Sequence, residues 1–207
     1  TSLWHNYSEG QGDFGDFTLP EGLKKNDKLP KPVLTPTTKF EKHDRPLTPQ
    51  QAVEEGLISD EVWKKLQDVA LKLFTFGQKT AEEKGLILVD TKYEFGLDDD
   101  GKLVLIDEIH TPDSSRFWLK ETYKSRIDLG EEPDNYDKEF LRLWYKERFD
   151  PYKDKVAPEP PQDKLDELIK RYTYVFEQLT GKKFKPEIEH DPIKRIESNV
   201  LNALETK

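Results

Sequence analysis

The stretch after Ser59 carries an apolar stripe at three- and four-residue steps: Val62, Leu66, Val69, Leu73 and Phe76. This period is that of one face of an α-helix. Ser59 is a suitable N-cap and Gly85 a suitable stop. The pattern therefore predicts a helix from about residue 60 to residue 84, with the stripe packed on a sheet.

Other helices are predicted from caps and periodicity. Thr48 is followed by Pro49 and, three residues later, by Gln51, which is typical of the start of a helix. This helix should end at Gly56. Further helices are expected at about 119–126, 137–148, 162–179 and 192–205. Residues 1–50 are rich in Gly and Pro and show little periodicity, so they predict an irregular segment with at most a short strand near residues 33–34.

An alternating pattern begins after Gly85. Residues 86–96 and 102–108 are rich in β-branched and apolar residues, and Asp100-Gly101 between them is a hairpin signal. We therefore predict that residues 87–96 and 102–109 pair as antiparallel strands, followed by a polar loop over residues 110–118. The hairpin face that carries Val104 and Ile106 is expected to pack on the preceding helix.

The turn predicts that two carboxylates meet. A two-residue turn at Asp100-Gly101 places Glu94 directly opposite Asp107, and a four-residue loop over 98–101 would keep both on the same face. Like charges that face each other destabilise a sheet. Two explanations remain open: a Mg²⁺ ion held by both carboxylates, or a solvated face on which Lys92 offsets the charge.

Composition narrows the class of protein. The chain has 207 residues, 23 of them aromatic, which indicates a folded protein. Its net charge of -9 argues against a general nucleic-acid binder, and no run approaches the roughly 18 apolar residues of a membrane span. The absence of cysteine fits a cytoplasmic protein. A phosphohydrolase built on His43 and Asp44 is disfavoured, because the four histidines show no metal-ligand spacing.

Two segments carry a family resemblance. Residues 90–96 read DTKYEFG and residues 107–118 read DEIHTPDSSRFW. They resemble the paired signatures D-x-K-x-E-F-G and D-E-x-x-T-P-D-S-S-R-[FY]-W of SAICAR synthetases. Residues 2–7, 34–44 and 136–142 resemble further stretches of the same family. The likeness extends from residue 1 to about residue 180.

The resemblance implies an α+β fold, mostly antiparallel sheet with flanking helices, that forms the larger C-terminal lobe of a two-lobed enzyme. Residues 1–50 would be an irregular, substrate-contacting segment that continues from an N-terminal lobe, 51–180 the catalytic domain, and 181–207 a C-terminal tail or helix. The glycine-rich nucleotide loop of that N-terminal lobe is not in this sequence. A non-catalytic fragment or binding domain is therefore the alternative.

The resemblance also implies a reaction and its residues. Family members are carbon–nitrogen ligases of purine biosynthesis that use ATP and Mg²⁺ to join L-aspartate to the carboxylate of the imidazole nucleotide CAIR. By motif position, Glu94 and Asp107 would bind Mg²⁺, and Lys92 and Asp90 would be catalytic. The substrate-binding residues would be Ser2, Asp44, Asp113, Ser115, Arg116, Lys138 and Arg142.

Overall fold

The computed structural model describes residues 3–38, 41, 44–150, 153–186 and 191–205. In chain order the elements are α1 (Leu3–Ser8), α2 (Pro49–Glu54), α3 (Asp60–Glu83), β1 (Leu86–Thr91), β2 (Glu94–Leu97), β3 (Leu103–Ile106), β4 (Ser115–Leu119), α4 (Lys120–Asp128), α5 (Glu139–Lys146), α6 (Gln162–Thr180) and α7 (Pro192–Glu205). The predicted α+β class with antiparallel pairing is confirmed. The named strands form two separate two-stranded sheets, β1 with β4 and β2 with β3.

The predicted helix starts are confirmed by their caps. The Thr48 hydroxyl accepts a hydrogen bond from the Gln51 backbone N–H at 3.1 Å, and the Gln51 side chain accepts one from the Thr48 N–H at 2.8 Å. The Ser59 hydroxyl accepts from the Val62 N–H at 3.3 Å. These local bonds satisfy N–H groups that a helix start leaves unpaired, so the sequence alone sets where α2 and α3 begin. The short strand expected near residues 33–34 is not formed.

The buried side of α3 is a stripe of one large and three small residues: Trp63, Ala70, Gly77 and Ala81. Phe76, which was predicted to pack on the sheet, is 68% exposed, and this part of the prediction is wrong. Phe76 precedes Gly77 by one residue and is therefore about 100° away around the helix. The small residues matter because they let β1 approach the helix backbone closely.

The hydrophobic core joins α3, β1, β4 and α6. Its buried members are Ala81, Leu86, Leu88, Phe117 and Val175, with Phe74, Tyr136, Tyr174 and Leu179 packed against them. The apolar side chains of β1 and β4 thus pack with residues of two long helices, α3 and α6. Among the described residues, no helix is long and apolar enough to cross a membrane.

The partner of β1 differs from the prediction. Residues 110–118 were expected to be a loop, but β4 begins in this stretch and pairs antiparallel with β1, from Leu86 opposite Leu119 to Thr91 opposite Ser115. The predicted strand over 87–96 is in fact two strands, separated by Lys92 and Tyr93. Because the residues around β4 are polar, the sequence pattern did not indicate a strand here. The strand is buried through its pairing with β1, which lies more than twenty residues earlier in the chain.

The hairpin register is shifted by one residue from the prediction. Glu94 lies opposite Ile106 rather than Asp107, and Leu97 lies opposite Leu103. The Asp98 N–H donates to the Lys102 carbonyl at 3.0 Å, and Gly101 has a left-handed φ of 73°. This is the hairpin with a three-residue loop and a left-handed glycine. The odd shift reverses the two faces, so Val104 and Ile106 are exposed instead of packed on α3.

We expect Gly77→Ala to destabilise the protein. Alanine normally stabilises a helix interior by about 1 kcal/mol relative to glycine. Here a Cβ would lie 2.4 Å from His110 Cε1 and 2.7 Å from Leu88 Cδ2, and overpacking costs about 1–3 kcal/mol. The free energy of unfolding, measured with urea, should therefore fall. Thr75→Ala on the exposed face of α3 is the control and should leave it unchanged or slightly raised. A Gly77→Ala variant as stable as the parent would contradict the close contact.

Candidate functional site

A polar cleft of about 320 Å³ opens where the end of β1, the loop before β4 and the start of α5 meet. It contains seven of the residues predicted from the sequence: Asp90, Lys92, Asp113, Ser115, Arg116, Lys138 and Arg142. Thr91, Glu108, Ser114, Asp137 and Glu139 complete its lining. Glu94, Asp107 and Asp44 do not line the cleft, and Ser2 lies outside the described residues.

Strand pairing brings Arg116 to the cleft. Arg116 on β4 lies opposite Asp90 on β1, and their side chains form an ion pair of 3.2 Å. The same guanidinium is 3.7 Å from the Glu139 carboxylate, which also holds Arg142 at 2.7 Å. One carboxylate thus lies between two guanidinium groups. Such planar groups can bind a phosphate or carboxylate through two parallel bonds.

The loop before β4 is fixed from both sides. The Lys92 N–H donates to the Ser114 carbonyl at 3.1 Å, and the Lys138 N–H donates to the Pro112 carbonyl at 3.2 Å. The Lys138 ammonium is 3.5 Å from Asp113. The loop therefore follows β1 on one side and α5 on the other, and it carries Asp113 to the cleft.

Ser115 is tied to the sheet. Ser115 is 5% exposed, and its hydroxyl is hydrogen-bonded to the Thr91 hydroxyl at 2.8 Å. This bond fastens the start of β4 to the end of β1. The predicted substrate contact of Ser115 remains a prediction, and it would require this hydroxyl pair to separate or to share a ligand.

Asp137 is a site residue whose importance sequence reasoning missed. It is 2% exposed, and its two carboxylate oxygens accept from the Phe117 N–H and the Glu139 N–H, each at 2.7 Å. Burial raises the pKa of this carboxyl to about 6, although both hydrogen bonds favour the charged form. The available signal was an acidic residue just before a helix, a position at which carboxylates accept backbone N–H bonds.

Glu94 and Asp107 converge on Lys92 beside the cleft. The Lys92 ammonium is 2.8 Å from Glu94 Oε1 and 2.9 Å from Asp107 Oδ2. Asp107 follows the end of β3 and has a left-handed φ of 70°, so strand alternation no longer fixes its side-chain direction. The predicted meeting of the two carboxylates is therefore reached, but by a bend of the backbone and not by cross-strand pairing. The ammonium lowers the pKa of Asp107, and the two carboxylates raise the pKa of Lys92.

The same pair fits a divalent cation that brings other ligands with it. Both carboxylates already share one cationic atom, so their oxygens can reach a common ion. The described ranges contain no group of three or more His, Asp or Glu residues arranged to hold a metal. Mg²⁺ commonly takes only one or two protein carboxylates and fills its shell with phosphate oxygens and water. Lys92 would have to leave its present position between Glu94 and Asp107.

Comparison with known proteins places this chain in a family. A sequence profile of the family described as SAICAR synthetase matches residues 3–159. The chain belongs to the SAICAR synthetase family. The resemblance inferred from the two signature segments is thereby confirmed.

Individual members of the SAICAR synthetase family agree with this assignment. The phosphoribosylaminoimidazole-succinocarboxamide synthase of Legionella pneumophila (strain Paris) is 50% identical over 205 residues, which are 99% of this chain and 66% of the relative. The structure of SAICAR synthase from Saccharomyces cerevisiae complexed with SAICAR matches 90% of this chain and 58% of its own, at 36% identity and a TM-score of 0.73. A SAICAR synthetase in complex with ADP matches 80% of this chain and 57% of its own, at 31% identity and a TM-score of 0.58. The chain thus spans just under two thirds of the Legionella relative.

We expect the contribution of Asp137 to stability to fall as the pH rises. Its pKa is about 6 in the folded protein and about 3.9 in an unfolded chain. The folded state therefore holds the proton more tightly. The difference in unfolding free energy between the parent and Asp137→Asn should fall by up to roughly 3 kcal/mol between about pH 4 and about pH 6. Urea unfolding at several pH values measures it.

The control for this experiment is Asp60→Asn, which neutralises an exposed carboxylate. A pH effect of the same size in this control would not be due to the burial of Asp137. If the difference in unfolding free energy between the parent and Asp137→Asn does not change with pH, the buried carboxyl does not titrate near pH 6.

Proposed function

We propose that this chain forms the substrate cleft of a SAICAR synthetase, which joins L-aspartate to the carboxylate of CAIR at the expense of ATP. The observation that carries the proposal is the cleft itself. Arg116, Lys138 and Arg142 come from two separate segments that resemble family motifs, and they line one cavity together with Asp90 and Lys92. The yeast neighbour was solved with SAICAR and another with ADP, which supports small anionic ligands for this cleft.

The charges of the cleft suit such ligands. CAIR carries a phosphate and a carboxylate, and L-aspartate carries two carboxylates and an ammonium group. Each of the four cleft cations already bonds to a carboxylate of the chain: Lys92, Arg116, Lys138 and Arg142. An incoming anion can therefore replace an internal carboxylate, and the released carboxylate can accept the substrate ammonium. Binding becomes an exchange of ion pairs, which avoids leaving a charge unpaired.

The proposed reaction has two steps. An oxygen of the CAIR carboxylate attacks the γ-phosphorus of ATP, which breaks the bond to the bridging oxygen and releases ADP. The aspartate amine then attacks the acyl carbon of the resulting acyl phosphate. The carbon–oxygen bond to phosphate breaks, the amine loses a proton, and the amide of SAICAR remains. Activation is required because a free carboxylate has no adequate leaving group.

The residues of the chain have separable tasks in this scheme. Lys92 neutralises the carboxylate that is phosphorylated, since phosphoryl transfer depends on positioning and charge neutralisation. Asp90 is positioned by Arg116 to accept a hydrogen bond from the imidazole amine or the incoming amine. Glu94 and Asp107 would hold Mg²⁺, which supplies charge neutralisation at the phosphates when bound.

The alternative is a binding domain that does not turn over. It is favoured by one observation: the chain spans only 66% of the Legionella relative, so part of that relative has no counterpart here. The test is release of ADP that depends on both CAIR and L-aspartate. It is run with this chain alone and with a longer polypeptide to which the part found only in the Legionella relative has been added. Turnover by neither would refute the ligase proposal. Turnover by the longer polypeptide alone would show that this chain is a substrate-binding part.

We expect Arg116→Lys to weaken CAIR binding about tenfold or more, although the charge is kept, because the planar fork is lost. Isothermal titration calorimetry measures the affinity. Arg126→Lys is a matched control, since Arg126 has the same 34% side-chain exposure and also pairs with two carboxylates, but lies outside the cleft. Equal CAIR affinity in Arg116→Lys and the parent would remove Arg116 from the binding site.

We expect Glu94→Gln and Asp107→Asn each to abolish most turnover, in whichever of the two polypeptides is active, without loss of stability. An amide is a weaker ligand for a hard cation than a carboxylate. ADP release at limiting Mg²⁺ and thermal melting are measured side by side. Asp98→Asn, in the turn of the same hairpin, is the control. If both variants turn over normally at limiting Mg²⁺, the two carboxylates are only a surface pair neutralised by Lys92.

A further inference from the structure

The buried carboxylate of Asp137 joins the two walls of the cleft. One oxygen accepts from the Phe117 N–H on β4 and the other from the Glu139 N–H at the first residue of α5, both at 2.7 Å. No described side-chain nitrogen or oxygen that is fully buried lacks a hydrogen-bond partner. Asp137 therefore acts as a fixed bridge between a strand and a helix that are distant in the sequence.

Each end of this bridge is one residue from a cleft cation. Phe117 follows Arg116, and Glu139 follows Lys138. On β4, Phe117 is buried in the core while Arg116 lines the cleft, as strand alternation requires. The two hydrogen bonds thus set where the backbones that carry these cations lie relative to each other.

We propose that Asp137 is a positioning residue that holds Arg116 at a fixed separation from Lys138, so that the two walls bind one anionic ligand together. The proposal deepens the proposed function and rests on it for the identity of the ligand as CAIR. The task assigned to Asp137 is separate from direct contact with the ligand.

The rest of the interface explains why the fold should survive a change at Asp137. The segment before α5 is also bound to β4 by three other hydrogen bonds: Tyr136 N–H to the Phe117 carbonyl at 2.8 Å, Leu119 N–H to the Asp134 carbonyl at 3.1 Å, and Trp118 Nε1 to Asn135 Oδ1 at 2.9 Å. Loss of the Asp137 hydrogen bonds should therefore loosen the contact between this segment and β4 near the cleft. The other three hydrogen bonds should keep the segment in place.

A carboxylate is required because two donors need two acceptors. The amide of Asp137→Asn has a single oxygen, so its NH₂ group would face the other backbone N–H, and one of the two links would be lost. The charged or titratable groups that act on Asp137 are Arg116 on β4, Glu139 on α5 and Tyr172 on α6. Arg116 stabilises the charged carboxylate and Glu139 opposes it.

The experiment compares Asp137→Asn with Asn135→Ala. Asn135 is also buried and bonds to the same strand through Trp118, so its loss also removes a link between this segment and β4. Calorimetry measures the affinity for CAIR and, separately, for inorganic phosphate. We expect Asp137→Asn to weaken both about tenfold or more, because small displacements of aligned groups are costly. Asn135→Ala should stay within about twofold of the parent.

The outcomes separate this proposal from the proposed function. If the parent binds phosphate but not CAIR, the proposed function fails, and the phosphate affinities still test Asp137. If Asp137→Asn binds both ligands like the parent, or Asn135→Ala weakens them equally, the positioning role is overturned. Asp137→Ser, which keeps an acceptor for the Glu139 N–H, replaces Asp137→Asn if that variant does not fold.

A measurement on the unmodified protein tests the positioning role without any ligand. The pKa of about 6 for Asp137 predicts that the amide resonances of Phe117 and Glu139 titrate together near this pH. If Asp137 positions Arg116, the Nε–H resonance of Arg116 should follow with the same midpoint in nuclear magnetic resonance spectra. An Arg116 resonance that does not move through this range would overturn the proposal.

Discussion

The antiparallel pairing of β1 with β4 is the contact on which the rest of the site depends. It buries Leu88 and Phe117 in the core between α3 and α6, and it places Asp90 opposite Arg116 at the end that opens to the cleft. The apolar face of this small sheet supplies the burial that stabilises it. Its polar end can therefore carry several charges that contribute little to stability themselves. The cleft thus lies at the end of the pairing between β1 and β4.

The cleft neutralises its own charges. Arg116 and Arg142 share the carboxylate of Glu139, and Lys138 pairs with Asp113. Partly buried cations without partners would be costly, so these carboxylates keep the cleft stable before a ligand arrives. The same arrangement makes each cation available to a stronger anion, because the internal partner is exchangeable and partly exposed. Stability and anion binding are thus served by one set of residues.

The hairpin shows where a sequence pattern was sufficient and where it was not. Asp100-Gly101 correctly located the turn, but the loop length depends on the left-handed Gly101 and the bond from Asp98 to Lys102. A change of one residue reverses which side chains face the core. Glu94 and Asp107 still converge, because Asp107 bends away from the strand and Lys92 lies between the two carboxylates. The residue spacing therefore correctly predicted that the two carboxylates come together. The reason given for it, direct cross-strand pairing, was wrong.

What the sequence determined by itself was local or carried by motifs. Thr48 and Ser59 set helix starts through bonds to residues only three positions away, and the two signature segments identified the family. The tertiary structure alone decided that β1 pairs with β4, that Phe76 is exposed, and that Asp137 bridges two walls of the cleft. These outcomes depend on contacts between residues far apart in the chain. Short-range propensity carries no information about such contacts, since their burial arises only when the whole core packs.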